Sequence, residues 1–228
     1  MIHIGTVWVG DKFEDRYLRN LYAMLKRNIS EPFELTCIMD SDKIGRIHPE
    51  IHQHLARRDI FGWWNFIEFY SGELPTPMVY LGLDTVIRGD ITPVVKRKTL
   101  TMSRDFNYLI GDPNKRLAGT YADCACVIPE GGLPWLWSKF EHQNFTLKLG
   151  QNHNTLMHVW VTQQLKMYQV VPDLWQDIEP HLMTSYKWPT PKIKEPNERL
   201  VFWHGSPQIH ECLEQAPWIT KHWNSRDL

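Results

Sequence analysis

Residues 78–84, MVYLGLD, are apolar at nearly every position until the closing aspartate. A strand with one wet face alternates polar and apolar side chains. A strand that does not alternate is covered on both faces, as in a parallel sheet clothed by helices. The segments before it suit that architecture. IHIGTVWV, 2–9, is a β-branched, apolar run stopped by Gly10–Asp11, a strand followed by a turn. From Glu14 to about Lys26, Tyr17, Leu18, Leu21, Met24 and Leu25 recur at helical spacing. FELTCIMD, 33–40, is a second strand running out into Asp40 and Asp42. GWWNFIEFYSG, 62–72, reads as a short helix closed by a glycine.

The second half continues with a strand at DCACVIP, 123–129, helices at LPWLWSKFEHQNF and NTLMHVWVTQQL, and late strands at YQVVP and RLVFWHG. The proline-rich KWPTPKIKEPN, 187–197, reads as an extended arm that returns the chain to one more strand. Strands alternating with helices predict an α/β sheet with parallel strands. Ligands of such sheets lie beyond the carboxyl ends of the strands. Asp84 and His204 each end an apolar run and so belong there, with Thr6 and Asp40 following the same logic less sharply.

The 228 residues suit one domain, and a 43% apolar, 22% charged composition can bury a sizeable core. A formal net charge of −1 advertises neither nucleic acid nor an anionic membrane as partner. No apolar run reaches ~18 residues, so no membrane span is expected. The N-terminus reads as a strand rather than a leader, which makes Cys37, Cys124, Cys126 and Cys212 reduced thiols of a cytoplasmic protein. CAC at 124–126 lacks the spacing of a zinc site and reads as small residues on a core strand. Eleven tryptophans offer faces for sugars or bases, though most are expected to pack. Phosphate-cradling glycine loops, H-E-x-x-H and G-x-S-x-G are absent, which disfavours ATPases, dinucleotide oxidoreductases, zinc proteases and α/β-hydrolases.

What remains is a carboxylate and an imidazole at two strand ends. Asp84 and His204 can share a divalent ion such as Mn²⁺ or Mg²⁺ and leave coordination positions open for phosphate oxygens. The plainer reading is a capping aspartate and a structural histidine.

YLGLDTVIRGDI resembles the Y-L-D-L-D-T-V-I strand of GT-A-fold glycosyltransferases, in particular the glycogenin-like and bacterial galactosyltransferase-like group. In the same order, GWWNFIEFY resembles the group's G-W-W-x-K-[IL]-E-[LF]-F helix and MSRDF its L-R-D-F segment. YADCACVIP stands where the group has F-N-S-[SG]-V-M, TSYKW resembles S-Y-K, and VFWHGSPQIHE resembles F-H-G-x-P-K-P. The resemblance spans nearly the whole chain. It implies one GT-A domain over 1–228, Rossmann-like with a mixed central sheet, with a nucleotide-binding half at 1–100 and an acceptor half at 101–228.

By motif, the resemblance implies Asp84 and His204 as ligands of Mn²⁺ or Mg²⁺ and Gly205 against the diphosphate. It implies Asp105, with Arg104 beside it, on the donor sugar, and Asp123 where the group has asparagine near sugar and acceptor. Thr6 and Val7 would line base and ribose, Tyr17 would stack on the base, and Leu83 is the middle residue of the D-x-D triplet. Gln151 in GQNHN stands where the acid of G-D-Q should be. Three departures stand out: Gly82 replaces the first acid of D-x-D, Phe66 the helix lysine, and Gln208 the lysine of P-K-P. Those lysines meet the diphosphate in the group. Other cations must substitute, or the chemistry is weak; Arg57, Arg58 and Arg88 are nearby in sequence.

The expected activity is transfer of a sugar from a nucleotide diphosphate sugar, a UDP-sugar by resemblance, to a hydroxyl, with retention of configuration. The acceptor is a saccharide or envelope precursor, or a hydroxymethylated base of phage DNA; no protein partner is indicated. VVKRKTL, 94–100, is the one dense basic run and reads as a solvated edge. The rival expectation is a non-catalytic nucleotide-sugar binder.

Overall fold

The structure, a computed structural model, describes residues 1–57, 59–105, 119–143, 157–187, 190–203, 205–226 and 228. Its centre is a seven-stranded mixed sheet in the order β3-β2-β1-β4-β7-β6-β8. The strands are β1 (Ile2–Trp8), β2 (Phe33–Met39), β3 (Ile51–Leu55), β4 (Met78–Leu81), β6 (Thr101–Arg104), β7 (Tyr121–Ile128) and β8 (Asp173–Leu174). β3, β2, β1 and β4 run parallel, so their carboxyl ends emerge along one edge. β7 is antiparallel to β4 and to β6, which makes the sheet mixed.

Both faces of the sheet are covered, as the unalternating strands require. Helix Asp15–Asn28 buries Tyr17, Leu18, Leu21, Met24 and Leu25 on one face, the set its sequence period selects. The 3-10 helix Gly62–Tyr70 and helices Pro134–His142 and Met157–Met167 cover the other face. Gly5 has a packing reason on that face: a Cβ there would lie 2.7 Å from the Phe69 ring, so β1 and the 3-10 helix could not close on each other.

The run read as one strand over 78–84 is a shorter strand followed by a turn. β4 stops at Leu81; the chain turns through Gly82–Asp84, with Thr85 Oγ1 donating to the Gly82 carbonyl at 2.7 Å. Thr85–Ile87 (β5) then enters a second, three-stranded sheet, β5-β10-β9, with β9 at Met183–Ser185 and β10 at Leu200–Phe202. Asp84 therefore occupies the junction of the two sheets. YQVVP is also not a strand. The helix Met157–Met167 ends in Gln169, whose φ is 56°, and the Val170 N–H returns to the Leu165 carbonyl at 2.9 Å. Those residues are used in the helix cap, and only Asp173–Leu174 pairs with β6. β3 was not foreseen, because two histidines and a glutamine interrupt its apolar pattern.

The described part of the proline-rich arm turns back instead of running extended, with the Lys192 N–H on the Tyr186 carbonyl at 2.8 Å and the Ile193 N–H on the Pro191 carbonyl at 2.9 Å, and it is pinned. Glu195 accepts from Arg88 and His222, and these contacts pull its carboxyl down to about 2. Trp218 Nε1 donates to the Lys192 carbonyl at 2.7 Å. The arm thereby delivers β10 beside β5.

Candidate functional site

Position 84 follows from backbone logic. β4 delivers the chain to the edge where the parallel strands end, and the turn Gly82–Asp84 carries it out of the sheet. The Trp203 N–H donates to the Asp84 carbonyl at 3.0 Å, extending the β5–β10 ladder by one step. His204, the next residue, lies outside the described residues, as do Gln151 and Arg58. The Asp84 carboxylate, 22% exposed, lies 3.6 Å from Lys12 Nζ. Burial raises its pKa and Asp123 adds to the rise, while Lys12 opposes it. A Cβ at Gly82 would lie 3.0 Å from Asp84 Oδ1. The absent first acid of the triplet would therefore press directly on the remaining one.

β7 runs back past this turn. The Gly82 N–H donates to the Cys124 carbonyl at 3.3 Å, so Asp123 is one residue beyond that contact. Burial raises the Asp123 pKa too, Asp105 adds to the rise, and His158 and Lys12 oppose it. Asp105, at the end of β6, is 2% exposed, accepts from Thr120 at 3.2 Å and lies 3.0 Å from His158 Nε2. That imidazole is not aligned for a linear hydrogen bond, but the distance is that of an ion pair. Burial works against the charged imidazole; Asp105 and Asp123 outweigh it and leave the His158 pKa raised. Thr162 fixes the histidine's helix to β7 by accepting from the Tyr121 N–H at 2.9 Å and donating to the His158 carbonyl at 2.8 Å. Nothing in the single sequence marked His158, a polar residue on an otherwise packed helix face.

Several expected donor contacts are occupied elsewhere. Thr6 is fully buried and donates to the Leu81 carbonyl at 2.8 Å, and Val7 is 8% exposed. β1 extends past both, so the edge begins at Val9. Tyr17 is 1% exposed, packed on Phe13 and Trp223, with its hydroxyl 2.8 Å from His210 Nδ1; burial lifts the phenol to about 12. It has no open face for a base. Leu83 buries its side chain in the core and leaves only main chain to the site. Arg104 is bidentate to Asp177 at 2.7 Å. Gln208 opens a 3-10 turn, Ile209–Glu211, with its N–H on the Glu211 carboxylate. Gly205 is exposed at φ 58° with open space around its Cα, the backbone state that favours glycine.

A cavity of about 420 Å³ opens at the carboxyl ends of β1, β2 and β3. Residues just past those strand ends, Val9–Lys12, Asp40 and Ser41, and Ala56 and Arg57, line it together with Phe61 and Trp63. Trp63, 53% exposed, is the only exposed tryptophan among the described residues. Lys12 belongs both to this cavity and to the Asp84 ion pair, so the two are contiguous.

Asp84 suits a divalent cation as one ligand: it is a largely buried carboxylate whose pKa a second acid, Asp123, helps to raise, with Lys12 Nζ 3.6 Å away. Among the described residues no group of three or more His, Cys, Asp or Glu side chains gathers as a complete cation site. All four cysteines are free thiols, with Cys126 buried and Cys124 half-buried on β7, so CAC packs as small strand residues. No described helix is long and apolar enough to cross a membrane.

No family model and no curated protein sequence matches the chain. Solved structures do. The galactosyltransferase LgtC, in complex with donor and acceptor sugar analogues, superposes with a TM-score of 0.57 at 10% identity over 96% of each chain. The glycosyltransferase GlyE of Streptococcus pneumoniae TIGR4 gives 0.55 at 10% identity over 99% of this chain and 65% of its own. The bifunctional glycosyltransferase WbbM gives 0.57 at 9% identity over 96% of this chain and 50% of its own. At such identities it is the fold that is shared. The chain has the mixed α/β, GT-A-like fold of these glycosyltransferases and spans about two thirds of GlyE and half of WbbM.

Proposed function

We propose that the protein is a glycosyltransferase that moves a sugar from a nucleotide diphosphate sugar, a UDP-sugar in our reading, to a hydroxyl acceptor. The observation that carries this is the contiguity of a cavity beyond the ends of parallel strands with the Asp84 carboxylate, joined through Lys12. The cavity takes the nucleoside, with Trp63 and Phe61 as stacking faces at its wall. Asp84 and His204 hold Mn²⁺ or Mg²⁺; the ion, when bound, neutralises charge developing on the leaving diphosphate. Gly205 lets the backbone approach the phosphates.

Asp123 faces the sugar and acceptor. Asp105 is a positioning residue, because its carboxylate is enclosed and paired with His158. The His158 charge keeps both acids compensated within a poorly solvated corner. We read the transfer as retaining, with a saccharide or a hydroxymethylated DNA base as acceptor, in a reducing cytoplasm where the four thiols persist.

The experiment is donor turnover with a panel of sugar nucleotides, with Mn²⁺ or a chelator present. Wild-type protein hydrolyses one of them in a metal-dependent way, and Asp84→Asn lowers the rate at least ~100-fold without loss of the folded melting transition. Gly82, Phe66 and Gln208 favour a second reading, a binder without turnover. Tight, saturable binding of a sugar nucleotide with no release of sugar in any metal would establish that reading instead.

A further inference from the structure

A diphosphate that leaves with two negative charges must be met by fixed positive charge. The positions where the resemblance places lysines do not supply it. Phe66 is 1% exposed in an aromatic cluster with Phe69, Tyr70 and Tyr80, and Gln208 is uncharged and opens a turn. Of the arginines close in sequence, the two described are committed elsewhere: Arg57 to Asp59 and Glu141, Arg88 to Glu195 and the Glu198 carbonyl.

Two ammonium groups nevertheless stand at the junction of the two sheets from other elements, one beside Asp84 and one beside Ser206. Lys12 reaches Asp84 from the loop after β1, its stem over the Phe13 ring with Nζ 4.4 Å from the centroid and 3.6 Å from Asp84 Oδ2. Lys187 comes from the segment after β9 and donates to the Ser206 carbonyl, one residue from Gly205. Ser185, two residues before Lys187, pairs with Phe202 of β10, and the next residue, Trp203, donates to the Asp84 carbonyl, so Lys187 leaves β9 at the same sheet junction. Partial burial there lowers its pKa. A cation beside Asp84 and a second beside the Gly205–Ser206 backbone offer a diphosphate fixed positive charge from two sides.

Resting on the nucleotide-sugar reading, we infer that Lys12 and Lys187 form the diphosphate clamp of this protein, in place of the two lysines missing at 66 and 208. Lys12 holds the diphosphate from the nucleoside side, because it also lines the cavity. Lys187 holds it from the Gly205–Ser206 side. The positive charge then comes from the loop after β1 and from the lysine of TSYKW rather than from positions 66 and 208.

The test is calorimetric titration of uridine, UMP and UDP, with ADP, GDP and dTDP in parallel, in chelator and again in Mn²⁺. The proteins are wild type, Lys12→Met, Lys187→Met, Lys187→Arg and Lys98→Ala; Lys98 lines a separate cavity near Met1 and serves as control. The expected result is a wild-type preference for diphosphate over nucleoside. Each Lys→Met variant loses about 10- to 100-fold in diphosphate affinity and stays within about 2-fold on the nucleoside. Lys187→Arg and Lys98→Ala retain the wild-type preference, which separates charge from folding. Lys→Met variants that hold diphosphate as tightly as wild type overturn the clamp and leave the nucleotide reading standing. Wild-type protein that binds no nucleoside diphosphate overturns both.

Discussion

Replacing Gly82 tests the geometry of the site without reference to turnover. A Cβ at 82 would stand 3.0 Å from Asp84 Oδ1, closer than side chains ordinarily pack, so even alanine moves that carboxylate by a few tenths of an ångström. Aspartate at 82 adds a second charge. Two carboxylates at ~4 Å repel by about 4 kcal/mol at an effective dielectric constant near 20 and about 1 kcal/mol in bulk water. Asp84 keeps 22% of its side chain exposed and has Lys12 at 3.6 Å, which argues for the lower half of that range, about 1–2 kcal/mol. Gly82→Asn has the same bulk without the charge. In chelator at neutral pH, Gly82→Asp should therefore melt below Gly82→Asn by roughly 2–8 °C, taking ~2–4 °C per kcal/mol for a chain of this size. Saturating Mn²⁺ should shrink or reverse that gap, because the paired acids then share a cation. Thermal melts of wild type and the Ala, Asn and Asp variants measure it. Equal melting of Gly82→Asp and Gly82→Asn in chelator would refute the placement of position 82 against the Asp84 carboxylate.

Two further outcomes follow from the same structure. His158 has a raised pKa in the fold, so its pair with Asp105 contributes stability fully present below its unfolded value of 6.5 and lost as pH rises through the raised one. Wild-type melting temperature should therefore fall between pH 6 and 8 more steeply than that of His158→Gln, and parallel slopes would remove the pair from the account. Phe66→Lys restores the lysine of the resembled motif but buries an ammonium among Phe69, Tyr70 and Tyr80. Urea unfolding should show a loss of at least the ~3–5 kcal/mol typical of truncating a buried phenylalanine, and a variant as stable as wild type would place residue 66 outside the core.

Much of the fold was legible along the chain. The helical period of Tyr17, Leu18, Leu21, Met24 and Leu25 and the unalternating run into β4 are local patterns, set by which side chains must leave water, and both survive in the structure. Asp84 could be picked out because an acid at the end of an apolar strand has few reasons to be there. β3 and the cap at Gln169 could not be read, because pairing and backbone hydrogen bonds, rather than hydropathy, decide them. The site divides in the same way. Residue types announced acids at 84, 105 and 123, but burial separated them into an accessible pair and an enclosed partner of His158. Tyr17 and Thr6 stood at plausible positions in sequence and were taken by the core and by the Leu81 carbonyl. Lys12 and His158 carry no sequence mark at all, and Lys187 stands in TSYKW with nothing in the chain to show what it faces. A lysine's charge is the same anywhere on a chain; only the folding of loops 175 residues apart brought one beside Asp84 and the other beside Ser206 at the same sheet junction.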